Sequence, residues 1–222
     1  TVAEMHRSLR IVATRRVCTA PSTVDVPIEA ARSTTAQALK MIGWGEREAN
    51  LQAEIMTAAE IAGNNQGLVK MYQPALMAPT DTTGSPIIER ETPTSAVVNG
   101  NGCPGMLAAA EAADLAAKKA SPIAIVSSYN TGTSSGQLAF YTERIAKRGL
   151  VGIALANSPE FVAAAPGAKA TFGTNPIAVG VPLGAAGVFS FDMATSAIAL
   201  FGVLTSKAKG EPLPPNVAYG KD

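Results

Sequence analysis

Apolar residues return at a helical period early in the chain and at short, interrupted spacings later. Between Pro27 and Gly63, Ala30, Ala31, Ala36, Leu39 and Ile42 mark one helix that Gly43 closes. Leu51, Ile55, Met56, Ala59 and Ile61 mark a second, from about Glu46 to Gly63, with the lone Trp44 as a core plug in the connection. Ala75 to Ser85 is turn-rich, and Pro86 to Val98 alternates as short strands. Gly105 to Ala120 is rich in strong helix formers. Ile123 to Ser128 reads as a buried strand, Gln137 to Arg148 as an amphipathic helix and Leu150 to Ala156 as a strand. Val179 and Val188 to Phe191 mark further strands, and Ser196 to Leu204 another helix. Strands alternating with helices predict an α/β fold with a mixed sheet and an N-terminal helical segment.

Composition narrows the function. A net charge of +1 and 5% aromatic residues give no basic groove and no stacking platform, so nucleic acid is not expected as a partner. The most apolar region, Ile177 to Leu204, is interrupted by Pro182, four glycines and Asp192, and reads as buried strands and a helix rather than a membrane span. One histidine and two cysteines, Cys18 and Cys103, supply no standard metal site and read as free thiols. From Met5 to Thr23 the chain is Arg-rich, hydroxyl-rich and free of acids, the composition of an organelle targeting segment. A basic first strand or arm is the preferred reading of residues 1–23, and with it a cytoplasmic protein. The remaining chain divides into a helical part, 24–85, and an α/β part, 86–222.

Several segments carry candidate chemistry. Gly100-Asn101-Gly102-Cys103-Pro104-Gly105 fits the dinucleotide-binding spacing between a strand and a helix. The next strand ends in Ser-Ser-Tyr-Asn, with no acid for a ribose hydroxyl, so an ordinary glycine turn is preferred. In Asn64-Asn65-Gln66-Gly67-Leu68-Val69-Lys70, a helical conformation would put Gln66 and Lys70 one turn apart on one face. An amide orients a substrate oxygen but cannot move its proton, whereas a desolvated lysine can act as acid or base. Asn130 to Gly136 offers small hydroxyl residues for an anion or for helix capping. Asp192, at a strand end, is explained by capping of a helix.

Three further pieces occur in order: Leu155-Ala156-Asn157-Ser158, Ala165-Pro166-Gly167 and Gly173-Thr174-Asn175-Pro176, followed by Phe191-Asp192-Met193-Ala194-Thr195-Ser196. Together with the segments around Gln66 and Asn130, they resemble the malate/L-lactate dehydrogenase family of NAD(P)-dependent 2-hydroxy-acid oxidoreductases. In that family the Gln66 region carries Ser-His-Gly, with an arginine four positions after the histidine. The histidine is acid/base for the substrate C2 hydroxyl, and the arginine helps hold the carboxylate. Asn65 stands for the serine, Gln66 for the histidine and Lys70 for the arginine; Ser134 falls where a second histidine would be.

The resemblance implies a non-Rossmann nicotinamide-binding fold, with NAD or NADP as cofactor and a homodimer as the assembly. It implies a small 2-hydroxy/2-keto acid, or a related imine acid, as substrate. Gln66 and Lys70 become the catalytic candidates, and Asn65, Tyr72, Asn157, Thr174 and Asn175 the substrate-binding ones. Asn130, Ser134, Asp192, Met193 and Ala194 become the cofactor-binding ones; no metal is implied. Family members continue past the point where this chain stops, so the C-terminal portion of their fold is expected to be missing here. The alternative is a non-catalytic or truncated relative that acts as a binding or structural protein.

Overall fold

A computed structural model describes residues 8–13, 22–164 and 169–218. His6, Cys18, the Ala165-Pro166-Gly167 segment and most of the Arg-rich segment lie outside them. Strand β1 (Ser8–Ala13) pairs antiparallel with β2 (Ser22–Pro27), which leads into α1 (Ile28–Met41) and α2 (Glu46–Ile61). A 3-10 helix (Leu68–Tyr72) and a shorter one (Pro74–Leu76) follow. Next come β3 (Ile87–Glu91), β4 (Ser95–Asn99), α3 (Gly105–Lys119) and β5 (Ile125–Tyr129). The chain continues through α4 (Ala139–Ala146), β6 (Gly152–Leu155), β7 (Val162–Ala163) and β8 (Ala170–Phe172). It ends in β9 (Ile177–Pro182), β10 (Val188–Met193) and α5 (Leu200–Lys209).

The expected α/β class holds, but the strands form small separate sheets. One is mixed, with β4 antiparallel to β3 and parallel to β5; another is antiparallel in the order β10-β9-β6. Strands β7 and β8 form a short antiparallel pair.

The core lies among the helices. Leu39 of α1, Ile55 and Met56 of α2, Met106 of α3 and Tyr141 of α4 pack with Trp44, Met77 and Ala178 of β9. Burying each of the larger aliphatic side chains contributes roughly 1.5–3 kcal/mol. Trp44 plugs this core as expected, and its indole N–H donates to the Met77 carbonyl. Helix α4 lies directly on the β9–β6 pair because two glycines face it there. Gly152 and Gly180 are register partners, and a Cβ at Gly180 would sit 2.4 Å from the Thr142 carbonyl oxygen.

Several expectations need correction. The segment Ile123–Ser128 is not buried: Ile125 is 71% exposed, and β5 is an edge strand covered on one side by α3. Strand β10 likewise shows Phe189, Phe191 and Met193 to the outside, level with Val179 and Ile177 of β9 and with Ile153 and Leu155 of β6. Each strand's apolar alternation is satisfied on one face only. Helix α4 begins at Ala139 rather than Gln137, and α5 begins at Leu200 rather than Ser196, where the Ser196 hydroxyl instead donates to the Ile198 carbonyl.

If the glycine pair sets the depth of α4, Gly180→Ala should cost about 1–3 kcal/mol in urea unfolding through overpacking. An unchanged midpoint would show that α4 can retreat freely.

Candidate active site around Lys70

The site begins with a turn that only glycine permits. The Glu60 carboxylate, near the end of α2, accepts the Leu68 N–H at 2.8 Å. A Cβ at Gly67 would lie 2.3 Å from that carboxylate and 2.9 Å from the Glu60 nitrogen. Gly67 takes φ −80° and ψ −144°, a non-helical pair that separates Gln66 from the 3-10 helix carrying Lys70. The expectation that Gln66 and Lys70 share a helical face is therefore corrected. Gln66 sits in a turn, its N–H donating to Asn64 Oδ1 at 2.9 Å and its amide to Asn65 Oδ1 at 3.2 Å. Asn65 approaches α5, where a Cβ on Gly202 would be 3.1 Å from its Nδ2. Tyr72, at the far end of the 3-10 helix, is exposed.

Lys70 points inward and is 0% exposed. Its Nζ donates to Ser134 Oγ at 2.8 Å and lies 3.5 Å from the centroid of the Phe201 ring on α5. Among the described residues no carboxylate forms an ion pair with it. Burial pushes Lys70 down from 10.5 to about 7. The ring face favours the ammonium form by about 0.5–2 kcal/mol. That is less than the roughly 5 kcal/mol represented by a drop from 10.5 to about 7, so desolvation decides the outcome. Near neutral pH a large share of this amine carries a free lone pair.

Ser134 is exposed, so the enclosed amine has one polar neighbour that opens to solvent. The loop carrying it is seated on the start of α3. The Gly105 N–H donates to Thr133 Oγ1 at 3.3 Å, and the Gly132 N–H to the Cys103 carbonyl at 2.8 Å. A Cβ at Gly105 would lie 2.4 Å from the Thr133 carbonyl oxygen. The glycines of the dinucleotide-like spacing thus admit the protein's own loop, and the space a pyrophosphate would need before α3 is filled. Cys103, buried in the same turn, has its thiol pushed up to about 11 by burial and is unreactive.

A second cluster joins the Asn-Ser, Gly-Thr-Asn-Pro and Asp-Met-Ala-Thr pieces. Ser158 N–H donates to Asn175 Oδ1 at 3.0 Å, and the Ser158 and Thr174 hydroxyls are 3.0 Å apart. Thr195 donates its hydroxyl to the Asn175 carbonyl at 2.9 Å. Asn157 is exposed beside this cluster. Asp192 caps a helix, as expected of it, but the helix is α4: its carboxylate accepts the Ala139 N–H at 3.0 Å. Burial raises the Asp192 carboxyl, opposed by the backbone N–H groups of Ala139 and Leu138. Met193 is exposed, and Ala194 is half-buried. Asn130 is exposed at the end of β5, held by its amide to Asn99 Oδ1 at 2.9 Å.

No hydrogen bond among the described residues joins the Lys70 group to the Thr174 cluster. The segment from Ser134, beside Lys70, runs to Ala139, which Asp192 caps, and these five residues of chain reach at most about 18 Å. Phe201 and Glu60 were not foreseen. Phe201 belongs to an apolar helical stripe, and nothing in its spacing distinguishes a ring that covers an amine from one that fills a core. Among the described residues, no set of three or more His, Cys, Asp or Glu side chains could hold a metal ion, and no helix is long and apolar enough to cross a membrane.

Comparison with known proteins adds a lineage. The sequence profile of malate/L-lactate dehydrogenase matches residues 26–222. An L-sulfolactate dehydrogenase of Methanothermobacter thermautotrophicus is 33% identical over 179 residues, 78% of this chain and 52% of that protein. A Δ1-pyrroline-2-carboxylate reductase of Burkholderia multivorans is 46% identical over 76 residues, 34% of this chain and 22% of that protein. The crystal structure of malate dehydrogenase from Entamoeba histolytica superposes with a TM-score of 0.76 at 27% identity, covering 87% of this chain and 55% of that one. The chain thus spans about half the length of these full relatives.

The buried amine makes a signed prediction about stability. Between pH 7 and 10.5 the unfolded lysine holds a proton that the folded one has lost. Lys70 therefore costs most below about pH 7, and the cost fades as pH rises toward 10.5. Relative to Lys70→Met, the wild-type chain should gain about 1.4 kcal/mol per pH unit at the steepest part of that window. Parallel stability profiles for the two proteins, measured by urea unfolding, would contradict it.

Proposed function

The chain belongs to the malate/L-lactate dehydrogenase family, and we propose that it works as an oxidoreductase passing hydride between NAD or NADP and a small 2-hydroxy/2-keto acid or imine acid. The observation that carries this reading is the enclosed amine of Lys70 against the solvent-facing hydroxyl of Ser134. Gln66 cannot replace a histidine as acid/base, because an amide does not titrate. Lys70 can, since burial brings it close to neutrality. In oxidation the neutral amine takes the proton of the C2 hydroxyl; in reduction the ammonium returns it to the C2 oxygen. Gln66 orients that oxygen, with Asn65 and Tyr72 beside the substrate.

A bound nicotinamide supplies or accepts the hydride. The residues fit the carboxamide of such a cofactor: the paired Ser158 and Thr174 hydroxyls, with the exposed Asn157 amide beside them, offer uncharged donors and acceptors. Asn175 holds that turn, and Ser134 and Asn130, both on the 130–136 loop, are the further candidates to contact the cofactor. The Asp192 carboxylate is engaged with α4, so Met193 and Ala194 are left as that segment's accessible contribution. The assembly we expect is a homodimer. The imine-acid option draws support from the similarity to the Δ1-pyrroline-2-carboxylate reductase.

Gln66 and Ser134 at places where the resemblance expects histidines favour one alternative, a non-catalytic family member acting as a binding or structural protein. Titration of NADH and NADPH, followed by nicotinamide fluorescence, separates the two readings. Binding followed by turnover in a screen of 2-keto acids is expected, and absence of binding by the folded chain would assign it to the alternative. Lys70→Ala should lower kcat by about 10²–10⁴-fold with little effect on nicotinamide affinity. The rate of oxidation should rise with pH through about 7 while that of reduction falls; a profile flat across neutrality would remove Lys70 from the proton transfer.

A further inference from the structure

We propose that Lys70 is also a carbonyl-capture site: its amine condenses reversibly with the keto group of a small 2-oxo acid, with the Ser134 hydroxyl beside it to hold the departing oxygen. The substrate class rests on the functional reading above; the capture itself needs no nicotinamide. A buried lysine is ordinarily kept protonated by a carboxylate, and protonation removes the lone pair that attacks a carbonyl. Here the described neighbours of Nζ are a hydroxyl at 2.8 Å and an aromatic face at 3.5 Å. Neither takes its proton permanently, and neither supplies the negative charge that would hold the ammonium form. Ser134 is exposed while Lys70 is 0% exposed, so a ligand reaches the amine only when the Ser134 side chain moves aside. Phe201 covers another side and keeps water from it. Burial, which brings the amine down to about 7, leaves about half of it unprotonated at neutral pH.

The bond changes balance without a further reactant. The nitrogen lone pair adds to the keto carbon, a C–N bond forms and the carbonyl pair moves onto oxygen. A proton passes from nitrogen to that oxygen, giving a carbinolamine. The C–O bond then breaks, a C=N bond forms, and the remaining nitrogen proton leaves with the hydroxyl as water. Nothing is oxidised or reduced, and hydrolysis reverses the sequence.

The test is to incubate the full chain with pyruvate and sodium cyanoborohydride at pH 7.5, without nicotinamide, and to map the reduced adducts by peptide mass spectrometry. An ordinary lysine is about 0.1% neutral at that pH. Lys70 should therefore carry the adduct at least about tenfold more than any other lysine, and this preference should vanish in urea. Mapping the wild-type chain needs no variant to fold. Ser134→Ala, at an exposed position, should keep the site but slow its labelling. Adducts spread evenly over surface lysines, or a folded chain with Lys70 unmodified, would overturn the proposal. Capture by a chain that binds no nicotinamide would sustain it while removing the oxidoreductase reading. Nicotinamide binding with no Lys70 adduct would do the reverse.

Discussion

The enclosure of one amine, with no carboxylate among the described residues to balance it, is the constraint around which this site is organised. A buried unpaired ammonium is among the least tolerated groups in a folded chain, so the proton is displaced before the fold gives way. Three separate parts of the chain produce that enclosure. The Glu60–Gly67 contact ends α2 and turns the 3-10 helix so that Lys70 faces inward. The glycine turn at 100–105 lets the 130–136 loop sit on α3 and offer Ser134. Helix α5 lays Phe201 over the amine. Each contact is local; the shifted basicity belongs to all three together.

On the proposed reading, the site keeps its place while changing its instruments. Gln66, where the resemblance expects a histidine, retains only the ability to orient. Lys70, where it expects an arginine, differs from a guanidinium that would stay charged whatever its surroundings. An ammonium responds to burial, so a lysine at this place titrates where an arginine would not. Ser134 is exposed, while the Lys70 amine behind it is fully buried.

Much of the fold was legible because helix signals are local. The periods of α1, α2 and α3, with glycine stops after the first two, placed those helices within a few residues. Desolvation of Lys70 was legible only as an option, since the resemblance placed a cation there but its spacing did not say whether the side chain is buried. The phase between Gln66 and Lys70 was not, because it turns on Gly67 meeting the Glu60 backbone, a contact that spacing does not encode. Burial of β5 and β10 was misjudged for a related reason. Runs such as Ile-Ala-Ile-Val are apolar whether one face is covered or two, and here only the helix side of each sheet is covered. Asp192 announced a cap but not which helix, since its partner Ala139 is 53 residues away.

The most direct measurement is the titration of Lys70 itself, by NMR of the chain labelled with carbon-13 at lysine Cε, assigned with Lys70→Arg. The account predicts one lysine resonance that titrates near 7 and is absent from the variant, set apart from the others. If every lysine, Lys70 included, titrates near 10.5, the amine is charged at neutral pH and the site described here does not work as argued.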